Sequence, residues 1–166
     1  PRRGLRFLLV PEMTGTYAYL ATHEELIPRV VAVLNLDMVG EDQAKCGSSL
    51  LLTSAPLAAP SVSDDLLALI LEALSDDASD LGSGARFGLF RWTEAPFSGG
   101  SDHYILTDPT VGIPCPMLLQ WPDKFYHTSA DTPDKVSPAA LARSGALAAV
   151  YAYWLASAGP AAAARP

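Results

Sequence analysis

Histidine, cysteine and basic side chains are all scarce in this chain, and each scarcity removes a class of function. The 166 residues include three histidines and two cysteines, with 11 Lys and Arg against 18 Asp and Glu, for a formal charge of −7. Beyond the opening Pro-Arg-Arg the arginines are scattered, so no basic patch is available to neutralise phosphates, and nucleic acid is a poor partner. An acidic surface also argues against anionic membranes. No apolar run reaches the roughly 18 to 20 residues that a spanning helix needs. Residues 139–158 come nearest, but Arg143, Ser144 and many small side chains suit a helix in water. The two cysteines, Cys46 and Cys115, allow one disulfide or two free thiols and have no metal-type spacing, which leaves the compartment open. Several motifs are missing as well: there is no H-E-x-x-H, P-loop, G-x-G-x-x-G after a strand or G-x-S-x-G elbow. Helix-borne zinc proteases, nucleotide-binding enzymes and elbow-type serine hydrolases drop out.

Hydrophobic residues make up 49% of the chain, enough for one domain with a real core. The run LRFLLV at 5–10 reads as a strand buried on both faces and stopped by Pro11. TGTYAYLATHEEL reads as a short helix with Thr14 or Thr16 as its cap. After Pro28, RVVAVLNLDMVG at 29–40 gives a second buried strand and SLLLTS a third. The clearest helix is SVSDDLLALILEALSDDAS at 61–79, capped by Ser61 or Ser63, with Asp64 and Asp65 at its positive end. ARFGLFRW at 85–92 and CPMLLQW at 115–121 read as further strands, with a turn and short helix at SGGSDHYIL between them. Ser137-Pro138 opens a long last helix. Alternating strands and helices predict an α/β fold: three layers, α/β/α, around a mostly parallel mixed sheet. Residues 1–158 are expected to form part of one domain, with a disordered tail at 159–166.

In such sheets, sites gather where loops leave the carboxyl ends of strands. That rule selects Glu12, Asp37, Asp102, His103 and His127. Asp37 closes an otherwise apolar strand, where a carboxylate is costly unless paired or metal-bound; it either caps a loop or ligates. Glu12 stands in a similar place after Pro11, with Gly15 allowing a close turn behind it. His127 lies between Tyr126 and Thr128, with Asp131 or Thr132 near enough in sequence to orient its ring; alternatively it bonds only to its own turn. The adjacent Asp102 and His103 suit orienting roles better than joint chelation. His23, in an acidic helix end, reads as a surface residue.

Taken in order, RFLLVPE, VLNLDMVGED, GGSDHYIL, GIPCPMLL and YHTSADT resemble segments of the di-zinc aminopeptidase family, which also includes glutaminyl cyclases and glutamate carboxypeptidases. The likeness runs over roughly residues 5 to 155. It implies a zinc-exopeptidase-like fold and a zinc-dependent exopeptidase, most simply an aminopeptidase acting on a peptide or aminoacyl substrate. Asp37 and His127 would be metal ligands, one on each of two zinc ions. Asp102, His103, Tyr126 and Asp131 would orient ligands or meet substrate, and Trp121, Phe125 and Tyr126 could line an apolar pocket, Tyr104 less directly. The family places a Glu-Glu pair after its first strand, base then ligand. Here the place reads Pro11-Glu12-Met13, which resembles a branch with Pro-Glu. An ungapped alignment makes Glu12 the general base, whereas deleting one residue makes it the ligand; the first is favoured.

The family's other ligands, a histidine and a bridging aspartate, precede the first strand seen here. The chain is therefore expected to be the C-terminal part of a catalytic domain, incomplete at its N-terminus, inactive alone, and weakened by an exposed sheet edge. Two other functions stay open: a non-catalytic binding domain of the same fold, and glutaminyl cyclase-like acyl transfer.

Overall fold

The computed structural model describes residues 2–75, 77–79 and 86–159, with the side chains of 77–79 and 86–88 outside the description. The order of elements is helix α1 (Thr14–Thr22), strand β1 (Asn35–Asp37), α2 (Gln43–Cys46), β2 (Ser49–Thr53), α3 (Val62–Ala73), β3 (Asp77–Ser79), β4 (Arg86–Gly88), β5 (Trp92–Ala95), α4 (Asp102–Leu106), β6 (Met117–Trp121) and α5 (Pro138–Ser157). Short 3-10 turns at Glu24–Arg29 and Pro133–Lys135 complete it. No helix among the described residues is long and apolar enough to cross a membrane.

The main sheet runs β1-β6-β2-β5. β1 pairs parallel to β6 and β2 parallel to β5, while β2 and β6 are antiparallel. The sheet is thus mixed and mostly parallel, as expected. Alternate residues of its central strands face opposite layers. Leu50, Leu52 and Leu118 pack with Leu67, Ile70 and Leu71 of α3 and with Leu147 and Tyr151 of α5. Of the residues of the other parity, which turn to the opposite side, Met117 and Thr53 are buried, whereas Leu51 and Leu119 are half-buried. Leu106, Ile113 and Cys115 form a second cluster with Leu20, Ile27, Val33 and Val111. Cys46 and Cys115 are both free and buried.

The expected strand at 5–10 is not formed. The segment is irregular and its apolar side chains are exposed, Leu9 at 94% and Phe7 at 81%. An apolar run becomes a strand only when a neighbour takes its backbone groups, and none among the described residues does. The expected strand at 29–40 contracts to 35–37, and that at 115–121 to 117–121; their late starts share one reason. They lie side by side, and Pro114 and Pro116 have no N–H to donate. Only their carbonyls can pair, accepting from Val33 N–H at 2.9 Å and Asn35 N–H at 3.0 Å.

The helix expected over 61–79 stops at Ala73, and Asp77–Ser79 is instead a strand paired with β4. Ser and Asp compete with helical backbone bonding, and Ser75 Oγ donates to the Leu71 carbonyl at 2.8 Å. The expected strand at 85–92 is split between β4 and β5, with residue 85 outside the description. Between the two, Arg91 is tied to Gln43 and Ser48 through backbone and side chain. Of the two expected candidates Ser61 caps α3, accepting from the Ser63 N–H, and Ser137 caps α5, accepting from the Ala140 N–H. Neither Thr14 nor Thr16 caps α1, whose cap position is Met13 with no side-chain bond. The tail from 160 onward lies outside the described residues.

Candidate active site

β1 and β6 run parallel, so the loops that follow them leave the same end of the sheet. Asp37 is the last residue of β1, half-buried and in register with Leu119. The loop after β6 carries Tyr126 and His127, both exposed. Glu12 is exposed on the turn that leads into α1. Asp102 starts α4 half-buried, and its Oδ1 accepts the Met13 N–H at 2.9 Å. Asn35 Nδ2 donates to Ser101 Oγ at 2.8 Å, tying the start of α4 to β1.

His103 is fully buried. Its Nε2 lies 2.6 Å from the Ser98 carbonyl; a carbonyl only accepts, so Nε2 carries the proton and Nδ1 keeps a lone pair. That Nδ1 is buried without a partner. Burial lowers the pKa of the ring, against the opposing effects of the Ser98 bond and the nearby Asp37 and Asp102 charges. Asp37, Asp102 and His103 therefore share one electrostatic neighbourhood beside the Glu12 turn.

His127 differs from the picture drawn from its sequence neighbours. Its ring stacks on Tyr126, centroids 3.8 Å apart, and Tyr126 in turn meets Trp121 edge-on at 5.1 Å. Asp131 makes no hydrogen bond to it. The Asp131 N–H folds back to the Thr128 carbonyl at 3.2 Å, and Thr132 Oγ1 donates to the Ala130 carbonyl. Phe125 is half-buried against the Lys135 ammonium, and Tyr104 stacks beside Phe97.

Backbone strain marks the same three places. Among the described residues, the non-glycine positions with positive φ are Met13 at 59°, Met38 at 50° and His127 at 55°. They follow Glu12, follow Asp37, or are the candidate itself. Side chains rarely adopt this region, and strain of this kind clusters at functional sites. Nothing in the sequence announces it at the two methionines, which rarely take positive φ, whereas histidine does so more often than most side chains.

Glu41 is a further residue that sequence reasoning passed over. It lies just past β1 in an isolated bridge to Val136, and its Oε2 is buried without a partner. Burial, with added repulsion from Asp123 and Asp131, raises its pKa to about 7. The Gly-Glu-Asp that closes the β1 segment was the available signal. Gln43 and Ser48, both bonded to the buried Gln120, complete the polar net under this loop. No group of three or more His, Cys, Asp or Glu gathers as a metal site among the described residues.

The family model for peptidase family M28 matches residues 3–152. Among curated proteins none is matched. Two solved structures share the fold. One, from Clostridium acetobutylicum and provisionally assigned as a peptidase, has a TM-score of 0.66 at 20% identity. The other, an aminopeptidase from Aneurinibacillus sp. strain AM-1, has a TM-score of 0.58 at 25% identity. They cover 87% and 86% of this chain, which spans 30% of the length of each.

Proposed function

The chain belongs to peptidase family M28, and from that premise we propose that the protein is a zinc-dependent exopeptidase, an aminopeptidase that releases N-terminal residues with an activated water. The observation that carries the reading is the strain beside Glu12, beside Asp37 and at His127. Strained backbone beside or at three candidate side chains supports a site that must aim them.

The donors suit zinc in kind, an aspartate oxygen and an imidazole nitrogen. They fall short in number, since a catalytic zinc takes three protein ligands, so further ligands would come from outside the described residues. When bound, zinc would polarise the scissile carbonyl and make water acidic enough to attack near neutral pH. Glu12 takes the proton of that water and delivers it to the departing amine. The acidic balance of the chain, a formal −7, favours the substrate's α-ammonium group. Trp121 and Tyr126, 40% and 41% exposed, offer an apolar wall for the side chain being released.

The test is Glu12→Gln in the complete natural protein. Gln keeps the shape but accepts no proton, so kcat on an aminoacyl-p-nitroanilide should fall by about 10² to 10⁴ with zinc content unchanged. The N-acetylated substrate should not be cleaved even by the parent protein. An unchanged kcat in Glu12→Gln would remove Glu12 from the role of base, and cleavage of the blocked substrate would remove the aminopeptidase assignment.

A further inference from the structure

Met13 has φ 59° and ψ −61°, and the Thr14 N–H donates to the Glu12 carbonyl at 2.6 Å. Together these define a γ-turn of the positive-φ form centred on Met13. That form is rare and strained for any residue with a side chain, whereas glycine takes positive φ freely. The strain falls one residue after Glu12, in the cap position of a helix that has no side-chain cap. Something must hold the turn in place.

Two contacts do so. Behind the turn, the Gly15 N–H donates to the Pro11 carbonyl at 2.8 Å. In front, Asp102 reaches across 89 positions of sequence to accept the Met13 N–H. A carboxylate acceptor makes a stronger hydrogen bond than a neutral one. Asp102 is itself firmly mounted. Its neighbour Ser101 is bonded to Asn35 in β1, and its other neighbour, His103, is fully buried and bonded to the Ser98 carbonyl.

We propose that Asp102 is the positioning residue of the catalytic turn, its carboxylate holding the Met13 amide so that the strained backbone from which Glu12 projects stays fixed. This deepens the peptidase reading and rests on Glu12 acting as base. It also accounts for an unusual division of labour: the residue that anchors Glu12 arrives from α4, which is tied to the strand that ends in Asp37. Base and metal carboxylate are thereby referenced to one rigid frame.

The experiment compares Asp102→Ala, Asp102→Asn and Asp102→Ala with Met13→Gly in the complete, zinc-loaded natural protein. Three readouts are taken: kcat and KM, zinc content, and hydrogen exchange of the Met13 and Thr14 amides. Loss of an anchor of this kind displaces the reacting group and costs about tenfold to a hundredfold in rate. Asp102→Ala should show that loss in kcat with KM and zinc content little changed, and faster exchange at both amides. Asp102→Asn, which keeps a neutral acceptor, should fall between. Adding Met13→Gly should restore most of the lost kcat, because glycine needs no anchor at positive φ.

Equal kcat loss with and without Met13→Gly would overturn the proposal, as would unaltered exchange at Met13 in Asp102→Ala. Should Asp102→Ala fail to fold, the near-isosteric Asp102→Asn, alone and with Met13→Gly, decides by the same criteria. The exchange readout separates the two layers of the claim. If Glu12→Gln stays active the base assignment fails, yet faster Met13 exchange in Asp102→Ala still establishes the anchor.

Discussion

At the scale of single residues, a few atoms decide whether the turn behind Glu12 can exist. A Cβ added to Gly15 would sit 2.6 Å from Val10 Cβ and 2.9 Å from Pro11 Cδ, atoms held close to the backbone. Gly15→Ala is expected to cost about 1–3 kcal/mol of stability, read as a lower midpoint in urea. Gly40→Ala meets Leu141 Cδ2 at the same 2.6 Å, but that atom ends a flexible side chain and can move aside, so its cost should be smaller. Glu12, Asp37 and His127 stood out as candidates because carboxylate and imidazole groups followed apolar runs in the sequence. The positive φ at Met13, Met38 and His127 was not legible there. At Met13 it is accompanied by the Asp102 bond, and local sequence carries no trace of a partner 89 residues away.

At the scale of elements, the helices with strong local signals formed where their caps said they would. Ser137 accepts from the Ala140 N–H and precedes Pro138 at the first turn of α5. Ser137→Ala should lose about 1 kcal/mol, measurable by thermal or urea unfolding. A core change should cost more. Leu118 is fully buried between the sheet and the α3/α5 layer, and Leu118→Ala is expected to lose about 2–5 kcal/mol. The strands were harder to read, for a definite reason. Apolar patterning reports burial, whereas a strand also needs a partner with free donors and acceptors. LRFLLV has the pattern and no partner among the described residues. VVAVL has a partner whose Pro114 and Pro116 can only accept, so the ladder begins at Asn35. The Ser/Asp-rich end of the segment at 61–79 misled in the opposite sense, because leucine periodicity ran up to residues that leave the helix.

At the scale of the whole molecule, acidity shapes both stability and function. Glu41 binds its proton more tightly when folded, with a pKa of about 7 against the ordinary 4.5. Between those values the folded protein holds more protons than the unfolded chain, so stability falls as pH rises through that window. Glu41→Gln should remove that slope. The variant should melt higher than the parent at pH 8 and match it near pH 4, as followed by thermal unfolding across the range. Equal melting temperatures at pH 8 would show that the Glu41 carboxylate is not confined as its burial indicates.

The larger claim, a metal-dependent peptidase to which this chain brings one carboxylate and one imidazole, is tested most directly by zinc content. The measurement is elemental analysis of the complete natural protein beside its Asp37→Ala and His127→Ala variants, each assayed on aminoacyl-p-nitroanilides. The account predicts that the parent binds zinc and cleaves, and that each variant loses zinc and cleavage together while remaining folded. A folded parent that is free of zinc and inert would contradict it, and would turn the M28 fold of this chain into a binding domain.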